Sequence, residues 1–535
     1  MSASRSACVL GCLLACAWFC AAAYADGDPA ASRFDVLELR VLGNTTLPAR
    51  DIEQLIYPFL GTNKTLDDVE VARKALETLY HDRGYGTVFV DVPEQTVDKG
   101  IVRLKVTEAS LRRVEVSGAR YFSARQIRTA LPAAKVGTTP ALPALQEQLA
   151  DLNRQTRDRS VVPVLKAGSE PGTVDLTLKV DDHLPLHASL ELNNQYTAQT
   201  EPLRAIGSIS YDHLFARFDS IGLQYQTAPQ ERSEVDVWMA NYATHVSDDT
   251  RLALYYFKSD SEVATLGTVD ASVTVLGKGQ VAGARLIHAL EGSAGSLHTL
   301  TLGVDYKDFL QNVGVQSIDR DSPDDSALTT PISYLNLSLG YSGGWRAGQR
   351  QWTFSASSNF GVRQWQNSAT EFELKRFKAN PNYIYFRSDG RIRFDLPARL
   401  NLQLSYSGQY APDPIISNEQ FAITGVDGVR GYLEAEELGD RGIKGSLEFG
   451  SPHWELLNNS LALDSFAFYD YGSMSLVQPL PSDRAHADVR SWGLGLRIDA
   501  FGMFTGVLTW AYPLTDSTQT RRGDDRFLFM VRSSW

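Results

Sequence analysis

The stretch Leu400–Gly408, LNLQLSYSG, decides how the second half of the chain is read. Leu400, Leu402, Leu404 and Tyr406 fall on one side of an extended chain and Asn401, Gln403, Ser405 and Ser407 on the other, because successive strand side chains point to opposite faces. The same two-residue period returns in LTLGVDY (Leu300–Tyr306) and in YLNLSLGY (Tyr334–Tyr341). Soluble sandwiches alternate too, but a membrane-spanning barrel does so in segments of about ten residues, apolar toward lipid and polar toward a wet lumen. From Leu184 to Trp535 the sequence shows this pattern and no convincing helix.

Connection lengths separate the two architectures. About sixteen segments can be marked, beginning near residues 186, 203, 217, 233, 249, 278, 297, 331, 349, 382, 399, 442, 459, 488, 502 and 526. Connections after odd-numbered segments tend to be long, at about 260–277, 311–330, 363–381, 411–441 and 473–487. Those after even-numbered segments are short, as in ARFD near 216 and GWRAG near 346. Long loops at one end and tight turns at the other are the habit of outer-membrane barrels. In the closing RFLFMVRSSW, Phe527, Phe529, Val531 and Trp535 share one parity, as a lipid-facing final strand requires, with Ser533 as the exception.

A barrel in an outer membrane needs export, and the first 25 residues supply a signal. Arg5 gives a positive start, Val9–Ala22 an apolar stretch, and Ala23-Tyr24-Ala25 a cleavage site. All four cysteines (Cys8, Cys12, Cys16, Cys20) lie in this segment, so the mature chain is expected to carry no disulfide and no thiolate metal site. The rest of the chain holds no run near the roughly 20 apolar residues of a membrane helix. A net charge of −12 argues against nucleic acid as a partner.

After a short segment at 26–33, residues 34–108 read as strand, two helices and two strands: FDVLELRVLGN, PARDIEQLIYPFL, TLDDVEVARKALETLYHDRG, TVFVDV and GIVRLKVTE. Residues 109–182 repeat the order, so two units of about 75 residues form an internal repeat. Arg83-Gly84-Tyr85, Pro93-Glu94-Gln95 and Gly100, with AGSEPGTVDLTLKVDD at the end of the second unit, resemble the paired POTRA domains of two-partner secretion transporters, the hemolysin-activator family of ShlB, FhaC and HecB type. The fold expected from the resemblance is two α+β POTRA domains followed by an all-β transmembrane barrel of about sixteen antiparallel strands, spanning 184–535.

The resemblance is strongest in the sixth long loop, 411–441, where GVDGVRGYLEAEELGDRG is similar to the lumen-inserted loop of these transporters. Gly428, Val429, Arg430, Gly431 and Tyr432 form its motif. FAFYDYG supplies the wall partner: if Tyr469 and Tyr471 meet lipid, then Phe468, Asp470 and Gly472 face the lumen. Arg430 is expected to pair with Asp470 through a charge-assisted fork. In WGLGLRIDA, Gly493, Gly495 and Arg497 face inward, and the two glycines are expected to leave room for the loop. The family relation implies that Arg430, Gly431, Tyr432 and Asp470 position the loop for transport. About eight residues separate Asp26 from the first strand, fewer than the plug helix and linker common in the family, so outer loops are expected to restrict the pore.

No enzyme motif is found; the nine histidines are scattered, with neither H-E-x-x-H nor G-x-S-x-G. No cofactor or metal is expected: DRDSPDD (Asp319–Asp325) lacks EF-hand spacing, and Arg522-Gly523-Asp524 reads as a turn before the last strand. The expected function is an outer-membrane pore that takes an unfolded exoprotein from the periplasm to the cell surface. The expected partners are that cargo, outer-membrane lipid and, during biogenesis, the barrel-assembly machinery. The alternatives are an insertase for other barrels, whose relatives usually carry more POTRA units, and a passive porin, which has no need of the soluble repeats.

Overall fold

The computed structural model describes residues 33–535 except 199, 262, 268–271, 277, 293–294, 312–328, 364–368 and 459. The leader sequence and the DRDSPDD stretch lie outside the described residues. The chain divides into two compact units, one ending at Asp182 and the other running from His183 to Trp535. Among the described residues no helix is long and apolar enough to cross a membrane.

The first unit holds two three-stranded sheets of one topology. In each, the last strand is central: Ile101–Glu108 runs parallel to Glu38–Leu42 and antiparallel to Val88–Asp91, and Thr173–Asp182 does the same with Ser110–Ser117 and Arg159–Ala167. The long helix Leu66–Asp82 begins at a capping box formed by Thr65 and Asp68, and buries Val69, Ala72, Leu76 and Tyr80 against the first sheet. The repeat extends to single atoms. Gly43 and Gly118, at φ +88° and +91°, sit where a Cβ would strike the carbonyls of Val106 and Val180. Each is followed by a loop whose amide hydrogens are held by the carboxylate ending the central strand. Glu108 accepts from Thr45 and Thr46, and Asp182 accepts from Arg120, Tyr121 and Phe122. Burial opposes ionisation of both carboxylates, but these donors outweigh it and hold both below their usual range. One expectation needs correction. FDVLELRVLGN is two strands, not one: the chain bends at Leu37, and Phe34–Val36 pairs with an unanticipated short strand, Gly61–Lys64.

The second unit is a closed antiparallel barrel of sixteen spanning strands, Leu186–Asn193 through Arg526–Ser534, with the short Trp454–Leu456 continuing the ladder of the twelfth strand along the thirteenth. Closure comes from the last strand lying against the first, from Met530 opposite Asn193 to Ser534 opposite Ser189, and from backbone bonds between Trp535 and Ala188. Burial is inverted relative to a soluble sandwich. Leu190, Leu223, Leu302, Leu404 and Leu494 are exposed on the outside, while Glu191, Asp305, Asn336, Gln409 and Asp470 are buried within. That is the distribution a lipid solvent selects.

The bore is not uniformly polar. At the long-loop end Met239, Phe257, Tyr334, Tyr383 and Tyr385 point inward and form an apolar core with Phe372, Ile415 and Ile416. Phe372 belongs to a helix, Ala369–Lys375, in the fifth long connection. No helix was expected in this half. Seven residues carry too little periodicity to betray one, and it is the aromatic interior that gives Phe372 a place to bury.

Candidate functional site

The sixth long connection, 411–440, folds back into the barrel. Its base is a two-residue ladder, Phe421 opposite Gly439 and Ala422 opposite Leu438. Its tip is a tight turn in which Gly428 donates to Gly425 O at 3.0 Å and Val429 to Ile423 O at 2.9 Å. Gly425 (φ +110°) and Gly431 (φ +95°) take backbone conformations that a side chain would strain. Phe421, Ile423, Val429 and Tyr432 form an apolar patch with Met474, Ala487 and Val489 of the thirteenth and fourteenth strands. Beyond the tip, the Tyr432 hydroxyl lies 2.9 Å from Arg490 O and 2.8 Å from Thr515 O.

These anchors deliver Arg430 to the wall. Its Nε donates to Asp470 Oδ2 at 2.7 Å and its Nη2 to Oδ1 at 2.8 Å, the two-pronged geometry of a guanidinium on a carboxylate. Its backbone amide also donates to Asp470, at 3.1 Å. The remaining donors reach Glu448 (2.7 Å) and Ser446 (2.8 Å) on the twelfth strand, Arg441–Gly450. Glu448 in turn accepts from Arg497 of the fourteenth strand at 2.6 Å. The register makes this possible: Ser446 lies opposite Asp470 and Glu448 opposite Phe468, so one guanidinium spans both pairs. Arg430 is 9% exposed and Asp470 0%. Charges this deep stabilise only when they are paired and hydrogen-bonded, and here each guanidinium nitrogen of Arg430 has a partner.

Phe468 lies beneath the cation, its ring centre 3.6 Å from Arg430 Cζ, and Phe466 stacks under Arg497 at 4.0 Å. This corrects the expected use of Gly493 and Gly495. They are opposite Phe468 and Phe466 in the ladder, and a Cβ on either would run into those rings. The space they leave is taken by the aromatic floor of the site, not by the loop. The glycine that admits the loop is Gly472, where a Cβ would come within 2.8 Å of Val429. Gly431 similarly passes close over Ala511 and Pro513 of the fifteenth strand.

A second set of contacts follows the motif. The acidic run Glu434–Asp440 distributes its carboxylates among other loops. Glu436 accepts from Gln519 and Thr520, Glu437 from Thr518 and Arg484, and Asp440 from Arg376, Ile415 and Val477. Glu419, fully enclosed, takes Lys307 at 2.5 Å together with Tyr334 and Tyr385. Loop six is therefore a hub on which the fifth, seventh and eighth long connections rest.

A family profile described as "Haemolysin secretion/activation protein ShlB/FhaC/HecB" matches residues 172–498, and one described as "POTRA domain, ShlB-type" matches 34–109. The chain belongs to this family. Among curated relatives, "Outer membrane transporter CdiB" of Dickeya dadantii is 22% identical over 79% of this chain and 73% of its own length. "Heme/hemopexin transporter protein HuxB" of Haemophilus influenzae is 19% identical over 94% and 87%. CdiB from Escherichia coli superposes with a TM-score of 0.59 at 17% identity, covering 96% of this chain and 93% of that one. BamA from Haemophilus ducreyi lacking POTRA domains 1–3 gives 0.57 at 14%, covering 94% and 100%, a likeness of fold alone. The chain is thus an outer-membrane transporter of the two-partner secretion type, a reading the relatives support over that of an insertase, with its POTRA domains on the periplasmic side.

In this transporter the sequence pointed to Arg430 and Asp470, and the structure brings them together. The sequence reading missed Glu448 and Ser446, and it placed Phe466 on the lumen face without its role beneath Arg497. The inward parity of Ser446 and Glu448 was available, since Ile443, Leu447 and Phe449 are the apolar alternates of that strand. What parity could not supply is the register that sets Glu448 beside Phe468.

Proposed function

We propose that the two POTRA domains hold an unfolded exoprotein in the periplasm and that the barrel passes it outward in extended form, with loop 411–440 positioned by Arg430 as the movable part. The buried network of Arg430, Asp470 and Glu448, joined at its edge by Arg497, carries this reading. A structural barrel has no use for a charged loop tip brought deep into its bore. A pore that must stay shut until cargo arrives does, because the network fixes one docked state that a threading chain can displace. The sheets of the POTRA domains support capture: Glu38–Leu42 and Val88–Asp91 flank the first, and Ser110–Ser117 and Arg159–Ala167 the second, as edges to which an extended peptide can add as a strand. Folding of the emerging chain outside biases its movement. The first 25 residues direct export, and the closing strand presents the chain to the barrel-assembly machinery.

The test is secretion of a large exoprotein encoded beside the transporter. Arg430→Ala is expected to leave barrel insertion intact while cargo accumulates in the periplasm. Normal release by that variant would remove the loop from the mechanism.

A further inference from the structure

Between the loop tip and the tight-turn end of the barrel lies a polar cavity of about 680 Å³, bounded by Val426–Gly428 and Arg430 on one side and by the wall on the other. The tenth strand, Ile384–Asp395, and the turn after it contribute three arginines. Arg391 and Arg393 share the inward parity of Tyr385 and Arg387, while Ile384 and Phe386 face lipid, and Arg399 follows in the turn. All three residues are exposed and line this cavity. Among the described residues Arg391 and Arg399 have no carboxylate partner, and Arg393 has only a 3.3 Å contact to Asp395. The other two arginines of the lining, Arg430 and Arg497, are neutralised by Asp470 and Glu448. The lining also holds Asp427 and Asp464 besides Glu448, so five arginines stand against three carboxylates, and the excess of positive charge lies on the wall of Arg391, Arg393 and Arg399 beneath the motif.

We propose that this wall is a docking surface for acidic segments of an extended polypeptide, the first contact of the cargo inside the barrel. The inference rests on the transport reading and names the chemistry it favours. Guanidinium forks match carboxylates. A cavity of this size lies in the range that binds short ligands. Exposure matters as much as charge. Solvated pairs are individually weak, and a conduit must hold its passenger strongly enough to admit it and weakly enough to release it. Buried arginines would trap it; these do not.

The test uses the full-length protein in detergent and two fluorescein-labelled ten-residue peptides, alternating Glu-Ser and alternating Lys-Ser, read by fluorescence anisotropy at low salt. The acidic peptide should bind about ten-fold more tightly than the basic one. The preference should vanish in the triple variant Arg391→Gln, Arg393→Gln, Arg399→Gln and invert with Glu at the three positions. Heat-modifiable migration on gels confirms that each variant is a folded barrel. A preference indifferent to these substitutions would belong elsewhere in the chain. Equal binding of the two peptides, or a preference indifferent to the substitutions, overturns the proposal. So does a thymidylate ten-mer that matches the acidic peptide in affinity and in its response. If the peptide preference holds while no exoprotein is secreted, only the transport reading falls; secretion without the preference sinks only this one.

Discussion

Replacing Arg430 by alanine removes the cation that bonds to both Asp470 and Glu448. Asp470 is fully enclosed and would lose the two guanidinium bonds it accepts. Removing one member of a buried ion pair costs about 3–5 kcal/mol, because the partner remains desolvated and unpaired. The barrel ladder is untouched, so the cost falls on docking of the loop. At about 1.4 kcal/mol per factor of ten, the docked-to-undocked ratio drops by roughly two to three and a half decades. Val429, next to the arginine and fully buried, is the reporter. The chain's own cysteines all lie within its first 20 residues, so Val429→Cys introduces a thiol into the barrel that a maleimide reaches only when the loop undocks. Labelling should be slow in the otherwise native chain and at least about a hundred-fold faster with Arg430→Ala, while Arg430→Lys, keeping charge but losing the fork, falls between. Equal labelling rates in the two backgrounds would refute the view that the ion pair holds the loop.

Gly472→Val should undock the loop much as Arg430→Ala does, since its side chain occupies the place of Val429, whereas Gly495→Ala should displace Phe466 and loosen Arg497 first; maleimide labelling and secretion separate the two. Asp440→Asn, which leaves Arg376 without its counter-charge, should raise the frequency of open events in planar bilayers. Exchanging the pair, Arg376→Asp with Asp440→Arg, should not restore quiet channels, because Asp440 also accepts from the amides of Ile415 and Val477. In the first POTRA domain, Glu108 has its ionisation favoured in the folded state. Its stabilisation is therefore complete above the ordinary carboxylate value and lost as pH falls through the lowered one. Amide exchange at Thr45 and Thr46, corrected for intrinsic rates, should accelerate below about pH 4.5, and Glu108→Gln should remove that dependence; a flat profile in the native chain contradicts the assignment.

Sequence alone determined what depends on local period. Side-chain parity placed Leu404 outside and Asp470 inside, and the sixteen strands stand within a few residues of where the alternation put them. The glycines of GVDGVRGY marked a turn, and the arginine among them marked a site. Tertiary structure decided everything that depends on which strand lies beside which. Glu448 becomes the second anchor of Arg430 only because the twelfth and thirteenth strands pair in one register. Gly493 and Gly495 serve Phe468 and Phe466 instead of the loop for the same reason. The helix Ala369–Lys375 forms where an aromatic bore receives Phe372. Alternation is a property of one chain segment in an anisotropic solvent, so it is written in that segment. Register and enclosure are relations between segments far apart in the chain, and they exist only once the cylinder has closed.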